Sequence, residues 1–281
     1  MERLRFMNKQ ELFIKKYKRK KRLILLTQAL IFISFLLIWE FLANNNLINS
    51  FITSSPSKII ETIINLYGDN NLFPHINKTI YETLISFTLT SILGFIISIL
   101  LYENDFLSKV IDPFLTMLNS LPKVALGPII IIWLGANDKS IIFMAILISL
   151  IVCIQTIYTS FKNTDKMKIR LLETFGATKK QILFNVIIPA NYKNIINTLK
   201  INISMCLIGV IMGEFLTSKM GIGYLILYGS QVFNLDLVMT GIFILIIISI
   251  VLYEIINYIE NKKSTKSRTV KDSLLKRFRE R

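Results

Sequence analysis

Three stretches of this chain are each long enough to cross the core of a bilayer and contain no charged residue. They are residues 84–101, 141–158 and 237–253. A transmembrane helix needs about 20 predominantly apolar residues. A soluble helical core cannot accommodate several runs of this length, so the pattern predicts an all-α integral membrane protein.

Three further segments are apolar but less uniform. Residues 23–42 carry Glu40 near their far edge, residues 106–134 contain three charges and three prolines, and residues 195–215 contain two charges. The total is six predicted transmembrane helices. We interpret the first as a retained anchor, because its apolar run is too long for a signal peptide and no small-residue cleavage site follows it.

Basic residues are concentrated at both termini and in one loop. Residues 1–22 hold ten Lys and Arg, residues 161–194 hold seven, and residues 261–281 hold nine. Because basic loops remain in the cytoplasm, six spans with both termini inside fit this distribution. The prediction is a basic cytoplasmic arm (1–22), a transmembrane domain (23–260) with the cytoplasmic loop 161–194, and a basic cytoplasmic tail (261–281). Membrane topology therefore accounts for the net charge of +15, and the charge does not indicate that the protein binds nucleic acid.

The sequence shows no set of residues that would support catalysis. Cys153 and Cys206 fall within predicted spans and fit small apolar residues better than a disulfide or metal site. His75 is the single histidine, and we place it in an outward loop. With no glycine-rich phosphate loop and no nucleophile set, we expect a chain that is not an enzyme, binds no cofactor or metal, and does not hydrolyse ATP by itself.

Two short helices are predicted outside the spans. Ser55 and Pro56 suit the cap and first turn of a helix, and isoleucines recur behind them at helical spacing. We expect this helix to lie on the outer surface and to end near Gly68. The loop that holds Gly221 and Gly223 is too apolar for solvent, which predicts a short re-entrant or interfacial helix.

The third span contains residues that interrupt a helix. Pro122, Gly127 and Pro128 lie inside it, and proline removes a backbone donor and clashes with the preceding turn. Broken helices at membrane depth occur only where protein or a watery cavity covers them. We therefore place this element beside a translocation pathway, the alternative being a simple kink.

The fifth span holds Gly209 and Gly213, a spacing that lets helices approach closely, followed at once by Glu214. An intramembrane carboxylate usually faces a bundle interior or a cavity. Two interpretations of Glu214 stay open: a place near the pathway, and a structural hydrogen bond to a neighbouring helix backbone.

The loop between the fourth and fifth spans has the pattern of two short amphipathic helices. Apolar residues that we assign to one side of the first helix are Met167, Leu171, Leu172 and Phe175. Gly176 permits a left-handed turn, Thr178 is a plausible cap of the second helix, and Pro189 ends it. The apolar stripe of the second helix is formed by Ile182, Leu183, Val186 and Ile187. This elbow predicts a docking surface for a soluble partner; the alternative is an amphipathic loop resting on lipid.

Four motifs of this chain carry a family resemblance. They are Gly176…Val186-x-Ile188-Pro189, Ser54-Ser-Pro56-Ser57, Leu121-Pro122-x-x-Ala125-x-x-Pro128…Trp133-Leu-Gly135, and Gly209-Val210-x-x-x-Glu214-Phe215…Gly221-x-Gly223-Tyr224. Together they resemble permeases of binding-protein-dependent ABC importers, in particular the sulfonate, nitrate and taurine branch. The resemblance covers residues 39–259.

One position departs from the family pattern. The family loop motif opens with Glu-Ala-Ala six residues before the glycine, whereas this chain has Arg170-Leu171-Leu172 there and Glu173 three positions later. Either Glu173 substitutes for the family glutamate, which is thought to contact the ATPase, or that contact is absent.

The resemblance implies the fold of a type I ABC importer permease in the cell membrane. It further implies two permease copies (a homodimer is expected), a cytoplasmic ATPase that binds the ATP, and an extracytoplasmic solute-binding protein. Solutes of similar proteins are sulfonates, taurine, nitrate and pyrimidine-type vitamin precursors. The ATPase-docking residues that it implies are Leu171, Leu172, Glu173, Phe175, Gly176, Ala177, Thr178 and Pro189. The candidates for the translocation path are Pro122, Lys123, Pro128 and Glu214.

Two other function classes fit this sequence less well. A secondary transporter driven by an ion gradient predicts internal repeat symmetry and more ionisable residues within the spans, and the sequence shows neither. A membrane-embedded enzyme would need a cluster of His, Asp or Cys at one interface, which a single His75 does not provide.

Overall fold

The computed structural model describes residues 2–45, 47–48 and 53–279, and within these ranges the side chains from residue 12 to residue 260. Met1, Glu280 and Arg281, which belong to the predicted basic arm and tail, lie outside the described residues, as do the side chains of residues 2–11 and 261–279. All regular structure in the described part is helical. The helices are α1 (Glu2–Asn44), α2 (Pro56–Gly68), α3 (Leu72–Glu103), α4 (Asp105–Ser120), α5 (Gly127–Leu134), α6 (Asp138–Lys162), α7 (Lys166–Thr174), α8 (Lys179–Ile182), α9 (Ile188–Ala190), α10 (Tyr192–Thr217), α11 (Ile222–Gln231) and α12 (Leu235–Arg279).

The six predicted spans correspond to five long apolar helices and one broken pair. The five are α3, α6, α10 and parts of α1 (Leu12–Asn44) and α12 (Leu235–Glu260). The pair α4 and α5 has the composition of a span, but the chain bends by 86° between Ser120 and Lys123, just before the 3₁₀ turn that leads into α5. The prediction of an all-α membrane fold is thus confirmed, including the break in its third span.

Helices α3, α6 and α10 form the centre of the bundle, and glycines set their spacing. A methyl group added at Gly209 of α10 would overlap the backbone of Ala145 in α6, and one added at Gly213 would lie 2.9 Å from the Cα atom of Ile141. The Gly209 and Gly213 pair therefore permits close packing between two helices of the same chain.

The outer helices cover this centre unequally. Helix α12 packs on α10 and α11 through a buried row that includes Ile244, Ile248 and Leu252. By contrast, none of the apolar window of α1 is buried within the chain. Its described polar link to the bundle is Glu40, whose carboxylate accepts hydrogen bonds from the N–H (3.0 Å) and hydroxyl (2.8 Å) of Ser57.

The two short helices lie where the sequence predicts them. Helix α2 begins after Ser55, whose side chain accepts a hydrogen bond from the N–H of Lys58, and it ends at Gly68. Helix α11 begins after Gly221, which has a φ of +116°. The placement of His75 in a loop is wrong: it lies in the first turn of α3, because that helix already begins at Leu72.

Candidate docking elbow and neighbouring sites

The segment between α6 and α10 folds as two helical pieces joined at a glycine. Helix α7 begins after Asp165, whose side chain accepts from the N–H of Met167 (2.9 Å). The chain then turns at Gly176, which has a φ of +75°. A reciprocal capping box opens α8: the N–H of Thr178 donates to the side chain of Gln181 (2.8 Å), and the N–H of Gln181 donates to the Thr178 hydroxyl (3.4 Å). The predicted break and cap are both present.

The outer surface of this elbow, which we define as residues 166–190, is apolar at its corner. Met167, Leu171 and Phe175 are 78%, 58% and 77% exposed. They are spaced four residues apart, which places them on one face of α7. Exposed apolar groups gathered at one corner are a feature of surfaces that bind a partner or a membrane.

The inner surface of the elbow packs onto the bundle. Ile169, Leu172 and Ala177 contact a buried cluster that contains Phe161 of α6 and Leu183. Leu172 therefore does not share a face with Met167, Leu171 and Phe175, and that part of the predicted stripe is wrong. The reason is geometric: Leu172 follows Leu171 by one residue and hence about 100° around the helix.

The elbow joins α10 through a π-helical turn at Leu183–Ile187. Pro189 follows it and has no N–H to donate to the carbonyl of residue 185. The N–H of Ile188 instead bonds to the carbonyl of Leu183, five residues back. In the predicted stripe Ile182, Leu183 and Ile187 are buried and Val186 is half-buried, as expected, although periodicity alone did not reveal the wider turn.

Asn191 fixes the far end of the elbow. Its side-chain amide donates to the Thr164 hydroxyl (2.6 Å) and to the carbonyl of Ile187 (2.9 Å). The residues that enter and leave the elbow are thus hydrogen-bonded to each other.

A cleft of about 300 Å³ separates the elbow from the ends of α3, α4 and α6. Exposed Glu173 lines it beside Lys179, with Tyr102, Lys109 and Lys162 on the other walls. Whether Glu173 replaces the glutamate of the family motif stays a prediction.

The broken third span presents open surface. Pro122 and Pro128 are exposed and Lys123 is half-buried, with its ammonium donating to the Asn119 side chain (3.4 Å). In the following α5, Trp133 is 74% exposed. This element leaves an apolar face of the chain uncovered, and the assignment of Pro122, Lys123 and Pro128 to a solute path stays a prediction.

Glu214 lies in the interior at the other end of the bundle and is fully buried. Its carboxylate accepts from the Thr79 hydroxyl of α3 (2.6 Å) and from the backbone N–H of Gly223 (2.6 Å). The Thr79 hydroxyl in turn accepts from the N–H of Ile222 (2.8 Å). This is the arrangement expected of the structural alternative, because the carboxylate joins α10 to the backbone of α11 and reaches no open surface.

Other polar residues lie around Glu214, and the sequence did not indicate that they would gather there. Glu82 of α3 is fully buried beside it, and the ring of His75 stacks on Tyr224 with centroids 6.0 Å apart. The N–H of Gly221 donates to Nδ1 of His75 (2.9 Å). Glu82 precedes the charge-free run 84–101 by two residues, so the sequence could have indicated a second carboxyl group at membrane depth, although not its contact with Glu214.

These features define a class: a multi-pass helical membrane protein with an elbow of exposed apolar residues at one end of its bundle. Comparison with known proteins gives the particular family. A model of the binding-protein-dependent transport system inner membrane component matches residues 90–265, and the chain belongs to this family.

Relatives agree with that assignment. The formylaminopyrimidine transport permease protein ThiX of Halalkalibacterium halodurans is 27% identical over 236 residues, which cover 84% of this chain and 94% of the relative. The taurine transport system permease protein TauC of Escherichia coli is 21% identical, covering 77% of this chain and 81% of the relative. The chain is therefore a non-catalytic, multi-pass permease subunit of an ABC importer.

A solved structure supports the fold. One chain of the MetNI methionine ABC transporter, in an inward-facing form, superposes with a TM-score of 0.60 at 18% identity, covering 67% of this chain and 94% of that one. At this identity the likeness concerns the fold alone.

Proposed function

We propose that this chain is the permease of an ATP-driven importer that moves a small solute into the cell, and that a separate ATPase drives it through residues 168–189. Family membership supports the importer class. The observation that carries the coupling is the elbow, which exposes Met167, Leu171 and Phe175 on a base packed into the bundle. Such a projection fits a groove on a rigid partner better than it fits solvent.

The proposed mechanism is a two-state motion. The ATP binds to the partner ATPase, and closure of the ATPase pair displaces the elbow about Gly176. Since the elbow is continuous with α6 and α10, the spans then change between inward-facing and outward-facing arrangements. ATP can shift the balance between the inward-facing and outward-facing states only if it binds the ATPase more tightly in one of them than in the other.

A second copy of the chain is the proposed partner within the membrane. The bent pair α4 and α5 leaves apolar side chains open, among them Ile132, Trp133 and Met117. A homodimer would cover these surfaces and place the Pro122 and Pro128 break near its axis. Lys123 would then lie near the path, where its ammonium favours an anionic solute.

The proposed solute is small and of the kind carried by related permeases, such as a sulfonate, taurine, nitrate or a pyrimidine vitamin precursor. An extracytoplasmic binding protein would deliver it and provide most of the selectivity. Binding assays on the binding protein that stimulates this importer would identify the solute.

Orientation is tested by thiol labelling, for which the chain is well suited. Its two native cysteines, Cys153 and Cys206, are buried and contribute little background. A cysteine placed at exposed Lys168 should react with a membrane-impermeant maleimide only after cells are opened. A cysteine at exposed Lys139, at the other end of the bundle, should react from outside. Labelling of Lys168→Cys in intact cells would contradict the proposed coupling.

The coupling itself is tested with a matched pair of glycines. An added Cβ meets no atom within 4 Å at Gly176 or at Gly68, but only Gly176 has a positive φ. Gly176→Val should therefore strain the elbow, by about 1–2 kcal/mol or more, whereas Gly68→Val should not. Uptake is measured in proteoliposomes that contain the permease, its ATPase and its binding protein.

We expect Gly176→Val to insert normally but to lose ATPase binding or ATP-dependent uptake, and Gly68→Val to retain both. Full uptake by Gly176→Val would contradict the role of the elbow. Uptake by the permease alone, without ATP or ATPase, would contradict the importer mechanism and favour an ion-driven transporter.

A further inference from the structure

The interior at the α11 end of the bundle contains two carboxyl groups in direct proximity. Glu82 of α3 and Glu214 of α10 are both fully buried. Glu82 lies one turn after Thr79, which donates to Glu214, and residues three apart share a helix face, so the two carboxyl groups lie on the same side of α3. Two adjacent carboxylates repel strongly when water is excluded. Their hydrogen-bond partners reveal how this repulsion is avoided.

Glu214 has the partners of an ionised acceptor. Its Oε1 atom accepts from the hydroxyl of Thr79 and its Oε2 atom from the N–H of Gly223, both at 2.6 Å. The Thr79 hydroxyl donates to Glu214 while its oxygen accepts from the N–H of Ile222. Short bonds to both oxygens are typical of a carboxylate anion.

Glu82 has the opposite surroundings. Neither of its oxygens has a hydrogen-bond partner among the described residues, although the side chain is fully buried. Its one ion-pair contact is with the ammonium of Lys78, at 3.4 Å, and Lys78 also bonds to Asp138. A buried carboxylate that accepts no hydrogen bond and shares its one cation with Asp138 is costly, whereas a protonated carboxyl group can itself donate to Glu214.

The other charged groups around the pair leave this arrangement in place. Lys78 of α3 carries one positive charge, and its ammonium also forms an ion pair with Asp138 at the start of α6. Nδ1 of His75 lies 2.9 Å from the backbone nitrogen of Gly221 and 3.1 Å from its carbonyl oxygen, so the ring bonds to the backbone and not to either glutamate. The Lys78 ammonium contacts two carboxyl groups, those of Glu82 and Asp138. With Glu214 as the third, protonation of one carboxyl group reduces the excess of negative charge.

We propose that Glu82 and Glu214 form a proton-binding site, in which Glu82 holds the proton and donates it to the carboxylate of Glu214. The bound proton keeps Glu214 available as the anionic anchor for the first turn of α11. Gly223 permits this contact, because a Cβ there would lie 2.7 Å from Oε2 of Glu214. Attachment of α11 to α3 and α10 then depends on occupancy of the site.

The first test is infrared spectroscopy of the full chain in lipid nanodiscs, with glutamate carboxyl groups labelled with ¹³C. At neutral pH we expect the carbonyl band of a protonated, buried carboxylic acid, shifted by the label. Glu82→Gln should lack this band. Glu61→Gln, a matched change at an exposed position of α2, should keep it. A labelled wild-type spectrum without the band would overturn the proposal, and so would its survival in Glu82→Gln.

The second test compares the stability of two isosteric variants. The amide introduced by Glu82→Gln can donate to Glu214 as the proposed acid does, so this variant should melt close to the wild type. Glu214→Gln replaces an acceptor oxygen by a donor that faces another donor, and should melt lower. If Glu82→Gln melted at a lower temperature than Glu214→Gln, or failed to fold, the proton would not be on Glu82.

A third measurement distinguishes a proton from a metal cation. Exchange of Na⁺ for choline should leave the melting temperature of the wild type unchanged. A Na⁺-dependent rise that Glu82→Gln abolishes would assign the site to the cation and refute proton binding.

Discussion

Replacing Thr79 by valine isolates the polar contact that holds α11 to the bundle. The substitution preserves shape and branching but removes one hydroxyl, which donates to Glu214 and accepts from the N–H of Ile222. Thr83, one turn later on the same helix, is the matched control. It is also fully buried, but its hydroxyl donates to the carbonyl of Thr79 within its own helix.

The magnitude follows from the groups left unpaired. Thr79→Val leaves the N–H of Ile222 and Oε1 of Glu214 without this hydrogen-bond partner. Leaving a buried polar group unpaired lowers the free energy of unfolding by about 1–3 kcal/mol for each group. Hydrogen bonds between membrane helices contribute less, about 0.6 kcal/mol on average and up to about 1.7. We therefore expect Thr79→Val to cost about 1–3 kcal/mol more than Thr83→Val, which corresponds to about 2–12 °C in melting temperature for a chain of this size.

The chain offers its own reporter for this measurement. Cys153 and Cys206 are buried, so a thiol-reactive dye becomes fluorescent only as the bundle opens. Equal melting temperatures for Thr79→Val and Thr83→Val would refute the argument that the Thr79 hydroxyl links α11 to Glu214.

Two further predictions concern the helix spacing and the elbow. The side chain introduced by Gly209→Val should overlap Ala145 of α6 and lower the free energy of unfolding by about 1–3 kcal/mol, as measured with the same dye. Gly68→Val, the control, should have little effect. Equal stability of the two variants would contradict the close approach of α6 and α10. Phe175→Ala should reduce co-purification of the ATPase in mild detergent, because it removes an exposed ring from the proposed contact. Phe233→Ala removes a ring of similar exposure at the other end of the bundle and should not, so equal loss in both would indicate a general effect of surface apolar area.

Local signals in the sequence predicted several helix caps and breaks, although not the early start of α3 at Leu72. Ser55 and Thr178 cap helices as their chemistry predicts, Gly176 adopts the left-handed turn, and Pro122 coincides with the break in the third span. These features depend on residues within one or two turns of each other, so sequence patterns report them reliably.

Contacts between distant segments were not accessible in the same way. Glu82 and Glu214 are 132 positions apart in the sequence, and no periodicity indicates that they meet. The π-helical turn before Pro189 was missed for a related reason, since its wider winding is stabilised by burial of Leu183 and Ile187 against α6. The sides of α7 were misassigned because hydrophobicity alone does not say which apolar residues face the bundle.

The elbow is attached to the bundle at several points. Leu172 packs into the cluster around Phe161, and Asn191 is hydrogen-bonded to Thr164 across its base. These contacts tie the base of the elbow to the ends of two spans. We therefore expect a displacement applied at Phe175 to reach the adjoining ends of α6 and α10 together.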